Sequence, residues 1–412
     1  MDAGSTGVPG WQQTLMVTAV AQSFSIMGFA FVTPFLPLYI QQLGIHGTAK
    51  VTLWAALLSG LVALGQASAS PVWGALADRY GRKIMVVRAA ASGAVLVGLM
   101  GVVGNIYELL ALRLLAGIFT GTVAASQALV ASQTPKNRLG FVLGVMQTAV
   151  FTGSSLGPLM GGVTAELVGF RPTFGIAAGF LMTCALLVLF FAHEQRPERV
   201  PKEDRPKLFA GMRQVLLIGG VPPMIASIFA VQFAVTQVYP ILPQFVEQLQ
   251  GHAGHAAAVT GVILAGAGVA GAISATSTGW FADRLGHKRV LVAAATMAAC
   301  VSIPQSFVQT TWQLGLLRVF DGLALGGMLP SAGAMLAGLV PQERRATVYG
   351  LSAAAVSLGF GGGPLISAAI VAVGGFRPVF FSAAFLLAVV AIWVAVMAPG
   401  RVRRVSPDSP SG

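Results

Sequence analysis

The sequence predicts an all-α membrane protein whose twelve transmembrane helices form two pseudo-symmetric six-helix bundles. Three observations predict it. The 412 residues are 55% hydrophobic and only 9% charged, where a soluble chain of this length carries about 25% charged residues. Apolar runs long enough to cross a bilayer core recur from end to end. The same landmarks appear twice in the same order, separated by 205 or 206 residues.

The runs fall at 12–40, 51–76, 84–104, 106–131, 140–165, 172–192, 214–246, 256–281, 290–308, 312–340, 347–373 and 377–398. We call them spans 1 to 12. Span 1 has too weak a basic lead-in, and too many successors, for a cleaved signal peptide. An even number of spans puts both ends on one side. Between spans 6 and 7 lies HEQRPERVPKEDRPK, charged and broken by prolines, which reads as a linker. The expected organisation is a first bundle at 1–192, a cytoplasmic linker at 193–213, a second bundle at 214–400 and a disordered cytoplasmic tail at 401–412.

The repeat is checked by subtraction. Pro34 and Pro37 match Pro240 and Pro243, Gly157-Pro158 matches Gly363-Pro364, and Phe170-Arg171-Pro172 matches Phe376-Arg377-Pro378, each 206 residues on. Asp78 matches Asp283 and Arg113 matches Arg318, each 205 on. Parallel repeats of six helices place a pathway between the halves, with rocking about a central site.

The formal net charge is +12. Of the 25 Lys and Arg, 20 fall on one side of the expected topology and three, Lys50, Arg171 and Arg377, on the other. That asymmetry is the positive-inside pattern, with both termini cytoplasmic. It needs anionic lipid at most and no nucleic acid. Cys184 and Cys300 sit in apolar runs, as packing residues rather than disulfide partners.

Spans 2 and 3 are joined by GALADRYGRK, Gly74 to Lys83, and spans 8 and 9 by GWFADRLGHK, Gly279 to Lys288. Gly74 permits close helix approach and Gly81 a tight turn. Asp78 suits the positive end of another helix or a nearby Arg. Arg79, Arg82 and Lys83 hold the loop inside and can pair with carboxylates across the seam. With Asp283 and Arg284 in the second copy, these residues are expected to form a conformational latch. A plain topogenic loop is the alternative.

The GxLADRxGRK pattern resembles the signature loop of the major facilitator superfamily. The second copy is degenerate, with Phe281 and His287 where Leu76 and Arg82 stand in the first. LRLLAGIFTG, which carries Arg113 inside span 4, is similar to the family's Arg-containing fourth helix, where that Arg is proposed to influence proton transfer. A structural Arg bonding carbonyls is the other reading. Span 5 carries Gly144, Gly153, Gly157-Pro158 and Gly161-Gly162. Small residues at these spacings make a smooth contact face, and the proline loosens the helix. The spacing resembles the antiporter motif of the drug-exporting branches. In the second half Ser367 and Ala368 replace the Gly pair. The resemblance covers essentially the whole chain and is closest to the twelve-helix drug:proton antiporters, the tetracycline and multidrug exporters. It implies the major facilitator fold and rocker-switch alternating access in a cell inner membrane, with no cofactor and a functional monomer.

Proton exchange needs a group that titrates inside the membrane. Of the 13 acids, Asp321 in span 10 alone lies deep in a span, three residues after Arg318 and so on the same helical face. A static Arg318–Asp321 pair is the competing reading. Span 1 has no acid, unlike several multidrug exporters, and offers Gln22. Glu108 and Glu247, near the outer mouth, remain alternative carriers. Candidates for an apolar, sparsely polar cargo path are Gln22, Phe29, Gln127, Gln147, Phe229, Gln232, Phe233 and Gln237.

The expected activity is export of drug-like lipophilic small molecules in exchange for protons. A permease or exporter for a sugar, amino acid or organic acid is the second expectation, and a non-transporting membrane sensor the third. The expected partners are the substrate, protons and the lipid bilayer. The sequence has no P-loop and no nucleophile or metal constellation, so no enzyme is expected.

Overall fold

The computed structural model describes residues 10–135, 138–194, 215–251, 254–340 and 345–397. Apart from His193 and Glu194, the expected linker and the expected tail lie outside the described residues. The helices in chain order are α1 (Trp11–Ala30), α2 (Leu36–Gln42), α3 (Thr48–Tyr80), α4 (Arg82–Met100), α5 (Ile106–Phe119), α6 (Thr122–Gln133), α7 (Leu139–Val168), α8 (Phe170–Phe191), α9 (Val221–Thr236), α10 (Leu242–Leu249), α11 (Ala256–Leu285), α12 (His287–Gln305), α13 (Thr311–Gly326), α14 (Met328–Gly338), α15 (Arg345–Gly374) and α16 (Arg377–Met397). Among the described residues there is no strand.

These helices make twelve spans because four spans are broken in two. Spans 1 and 7 break at TPFLP and YPILP, where Pro34 and Pro240 remove a backbone donor. Pro37 and Pro243 then sit in the first turn of α2 and α10, where no intrahelical donor is needed. Span 4 breaks at Thr120–Gly121, with Gly121 at φ 123, and span 10 breaks at the equivalent Gly327. Eight helical stretches are long and apolar enough to cross a membrane by length and composition. Spans 1, 5, 7 and 9 complete the twelve.

The repeat is visible in detail. Asn105 caps α5, accepting from Tyr107 N at 3.1 Å and Glu108 N at 3.0 Å, and Thr310 caps α13 in a capping box with Gln313. Arg171 donates to the Val103 carbonyl at 3.2 Å and Arg377 to the Val308 carbonyl at 3.4 Å. Each first-half anchor recurs 205 or 206 residues later, so the two halves carry one set of fastenings.

The four longest helices, α3, α7, α11 and α15, form the seam: α7 packs on α11 and α3 on α15. At 30 to 33 residues each extends about 45–50 Å, beyond the membrane's hydrocarbon core. The broken spans sit inside their own bundles, α1 against α7 and α8, and α9 against α15 and α16. We call the end carrying the α3–α4 and α11–α12 turns the basic end and the opposite one the far end. At the far end the first bundle closes on Phe35, Tyr39, Phe170 and Phe174, with the Tyr39 hydroxyl donating to the Met100 carbonyl at 2.9 Å. The outward surfaces stay apolar, with Phe385, Ile392 and Leu167 exposed, as lipid-facing helices require.

Candidate functional site

The basic end is organised by one glycine. Gly81 is the whole connection between α3 and α4, at φ 101, a conformation that excludes most side chains. The two free N–H groups it presents, from Arg82 and Lys83, are taken by Glu194, whose carboxylate oxygens accept them at 2.7 Å and 2.9 Å. A carboxylate on a helix N-terminus also meets the positive end of its dipole. A Cβ at Gly81 would lie 2.8 Å from that carboxylate, which would have to shift to admit it. The Arg82 guanidinium reaches sideways to the Ala128 carbonyl of α6 at 3.0 Å. The neighbouring His193 carbonyl accepts from Gln133 at 2.7 Å and from Thr14 at 3.3 Å. Residues 193 and 194 therefore fasten α1, α4 and α6 together. The sequence placed Glu194 in the linker; the one available signal was that it is the first acid after span 6. Of the predicted latch residues, Gly74, Asp78, Arg79 and Asp283 lie outside the residues whose side chains are described, and Arg284 is exposed and engaged.

Above this knot Arg88 of α4 lies over the Trp73 ring of α3, 3.3 Å from its centroid. Trp73 in turn donates to the Ile118 carbonyl at 2.7 Å, at the end of α5 where span 4 breaks. A cation on an aromatic face is favourable, and more so away from water. The sequence reading did not single out this contact.

Spans 4 and 10 differ in charge. Arg318 donates to Asp321 at 2.6 Å, and each side chain is 6% exposed. Asp321 keeps its second oxygen, and Arg318 its Nε, without a hydrogen-bond partner among the described residues. Gln305 of α12 lies beside the carboxylate, and the partly buried Tyr239 is within electrostatic reach of both charges. In span 4 the equivalent of Asp321 is Ala116. Arg113 is half-buried there, with its Nε unpartnered among the described residues.

The span 5 glycines divide by direction. A Cβ at Gly153 would meet the Ser23 carbonyl at 2.6 Å, and one at Gly157 the Met27 carbonyl and Ala30 Cβ at 2.8 Å. One at Gly161 would run into the Phe31 carbonyl, all of these on span 1. Gly162 faces the other way, onto the Ala257 carbonyl of α11, and the Pro158 carbonyl seats against Gly261. Gly144, near the basic end, meets nothing within 4 Å among the described residues. The motif thus joins α7 to its own bundle on one face and to the second half on the other. α7 stays helical through Pro158.

The halves are tied at the far end. Glu166 of α7 accepts from the Ala258 amide of α11 at 2.7 Å and meets His255 Nδ1 at 2.9 Å. Gln41 donates to Glu247 at 3.3 Å and Gln244 to Thr52 at 3.1 Å. A cavity of about 400 Å³ opens there, lined by Gln41, Glu166, Phe170, Glu247 and His255. Glu108 is occupied locally, accepting from Gly104 at 2.8 Å and Asn105 at 2.6 Å.

The cargo-path candidates are dispersed. Gln22 and Gln237 are fully buried, with neither amide atom partnered among the described residues. Gln147 is exposed on α7. The Phe229 and Phe233 rings meet in a tilted pair at 5.3 Å, and Phe233 and Gln232 pack against the α15 glycines 359 and 362. Phe29 points to Gly93, and Gln127 is half-buried on α6. Among the described residues no group of three or more metal-ligating side chains occurs.

A family model described as Major Facilitator Superfamily matches residues 18–277 and 249–411. The chain is 37% identical over 390 residues to the multidrug resistance protein MdtG of Enterobacter lignolyticus, covering 94% of this chain and 92% of that one. It is 38% identical to MdtG of Citrobacter koseri over 374 residues, covering 90% and 91%. Among solved structures, a bacterial homologue of the human lysosomal transporter Spinster, inward-facing and occupied, superposes with a TM-score of 0.78 at 14% identity, covering 95% and 97%. The human organic anion transporter MFSD10 gives 0.70 at 18%, covering 94% and 100%. With a family model spanning both halves and relatives matched over nine-tenths of their length, this chain belongs to the major facilitator superfamily.

Proposed function

We propose that the chain is a proton-driven exporter of drug-like lipophilic molecules, working by alternating access between its two six-helix bundles. The observation that carries the reading is the glycine face of α7. It has the spacing expected of antiporters and seats against both span 1 and the second half. The relatives named multidrug resistance proteins support the cargo class. The bundles are read as 1–192 and 214–400, with the intervening segment and both termini cytoplasmic on the strength of the basic loops.

In this reading the four hydrogen bonds at the far end hold the outward gate shut. The described state therefore loads cargo from the basic end. Asp321 carries the proton. In this state it is ionised and held by Arg318, and protonation releases Arg318 and lets the second bundle rearrange. Glu194, Arg82 and the Gly81 turn keep the basic-end latch rigid as the bundles rock.

Everted vesicles with an acidic interior test this. Adding lipophilic cations and neutral drugs, and following the pH gradient with a fluorescent dye, is expected to show drug-triggered proton release that empty vesicles lack. A chain with no response to any drug, but with release on adding sugars, amino acids or organic acids, would overturn the cargo assignment. Drug transport that does not move protons would overturn the coupling.

A further inference from the structure

The first bundle contains a continuous polar stripe along α1. Thr14, Thr18, Gln22 and Ser25 follow one another at helical spacing along α1, and all four are fully buried. α6, which packs on α1, carries Thr122, Ser126 and Gln133, which are also buried. The two ends of the seam are closed by direct hydrogen bonds. Ser25 and Thr122 share one at 2.7 Å, and Thr14 and Gln133 both reach the His193 carbonyl. The stretch between them is different. The Thr18 hydroxyl and both amide atoms of Gln22 have no partner among the described residues. The seam is walled by apolar contacts, Ala21 with Leu129 and Cys184 on one side and Ala19 with Val130 on the other.

An amide with two donors and two acceptor lone pairs cannot be left dry in such a place, because stripping its hydration without replacement is strongly unfavourable. Buried groups of this kind are satisfied by ordered water when several polar atoms converge. We propose that the α1–α6 seam binds a short row of water molecules at Thr18 and Gln22. The row links the His193–Glu194 knot at the basic end to the Ser25–Thr122 contact beside the break in span 4. Gln22 is then a positioning residue inside the first bundle, holding α6 to α1 through water rather than touching cargo. A water-filled contact resists separation but tolerates small sliding, because each molecule exchanges partners. A broken span needs that freedom where its inner segment shifts.

Cys184 is the reporter. It is fully buried on α8 and packs in one apolar cluster with Ala21, the neighbour of Gln22 on α1. X-ray hydroxyl-radical labelling of the full-length protein in nanodiscs, in ¹⁸O-water, converts water bound beside a side chain into label on it. The native protein is expected to take up ¹⁸O at Cys184. Thr18→Val with Gln22→Leu is expected to reduce that uptake by about fivefold or more, by removing the water ligands. His46, exposed in the loop between α2 and α3, serves as the control for folding and dose. No label at Cys184 in the native protein overturns the proposal with no variant needed, and so does equal label in a variant whose His46 signal is unchanged. A second readout rests on the export reading. Gln22→Leu is expected to lower drug turnover at unchanged KM, whereas a raised KM at unchanged turnover would place Gln22 against cargo. The labelling result stands whether or not drugs are the substrate.

Discussion

Spans 4 and 10 occupy equivalent places in the two halves, break at equivalent residues and carry an Arg at the same position, yet only span 10 places an acid beside that Arg. Arg318 has Asp321 at 2.6 Å, while Arg113 has Ala116 at the matching place. Around this difference the mechanical parts are duplicated. The helix caps at Asn105 and Thr310, the Arg171 and Arg377 anchors, and the proline breaks all recur. The lesson is that duplication preserved the scaffold in both copies and let the charge chemistry diverge. Two equal halves can rock, but a charge pair present in only one of them makes the two halves electrostatically unequal.

The strongest way to break the comparison is to remove the acid. Asp321→Asn leaves a buried Arg uncompensated, which is expected to cost about 3–5 kcal/mol in the second bundle and to abolish drug-driven proton release. Thermal unfolding and the vesicle assay measure the two effects separately. Moving the acid, by combining Ala116→Asp with Asp321→Asn, is expected not to restore exchange. Recovery would show that either repeat can carry the proton.

The glycine faces offer the next contrast. Gly161→Ala forces a methyl into the Phe31 carbonyl, and overpacking of this kind is expected to cost about 1–3 kcal/mol. At the equivalent second-half position a side chain, Ser367, is already accommodated, and its buried hydroxyl has no partner among the described residues. Ser367→Ala is therefore expected to change stability by less than about 1 kcal/mol. Parallel melting curves of the two variants check this.

A smaller effect is expected at the far gate. Glu166 holds two groups of the opposite half and Glu247 one. Glu166→Gln should favour far-end opening by about 1.5 kcal/mol, the scale of hydrogen bonds to a charged group. Glu247→Gln should do less. Spin-label distances across the far end would lengthen more in the first variant. The smallest shift, about 1 kcal/mol for a part-exposed charge-assisted cap, is expected for Glu194→Gln, read as faster amide exchange in the first turn of α4.

Sequence patterns were enough for the helical scaffold because it follows from local and periodic rules. Run length marks each span, and the matched Pro34 and Pro240 mark the repeat. A glycine in a basic loop marks the turn at Gly81. Subtracting residue numbers reveals the duplication. The i,i+3 spacing brought Arg318 and Asp321 together before any coordinates, because one helix turn decides it.

Contacts between distant segments carried no such signal. Glu194 meets Arg82 and Lys83 across more than a hundred residues, and Trp73 meets Arg88 and Ile118. Nothing in the spacing announces either. Gln22 illustrates the same limit: on paper it is one polar residue in an apolar run, equally fit for a cargo path or a bundle interior. Its rotation on α1, set by the glycines of α7 that draw one face of the helix close, turns it into the buried seam. The sequence by itself determined twelve spans and their repeat, since each depends on patterns along the chain. Which faces meet, which charges find partners and which polar groups are enclosed were decided only when the helices packed, because burial is a property of the whole assembly.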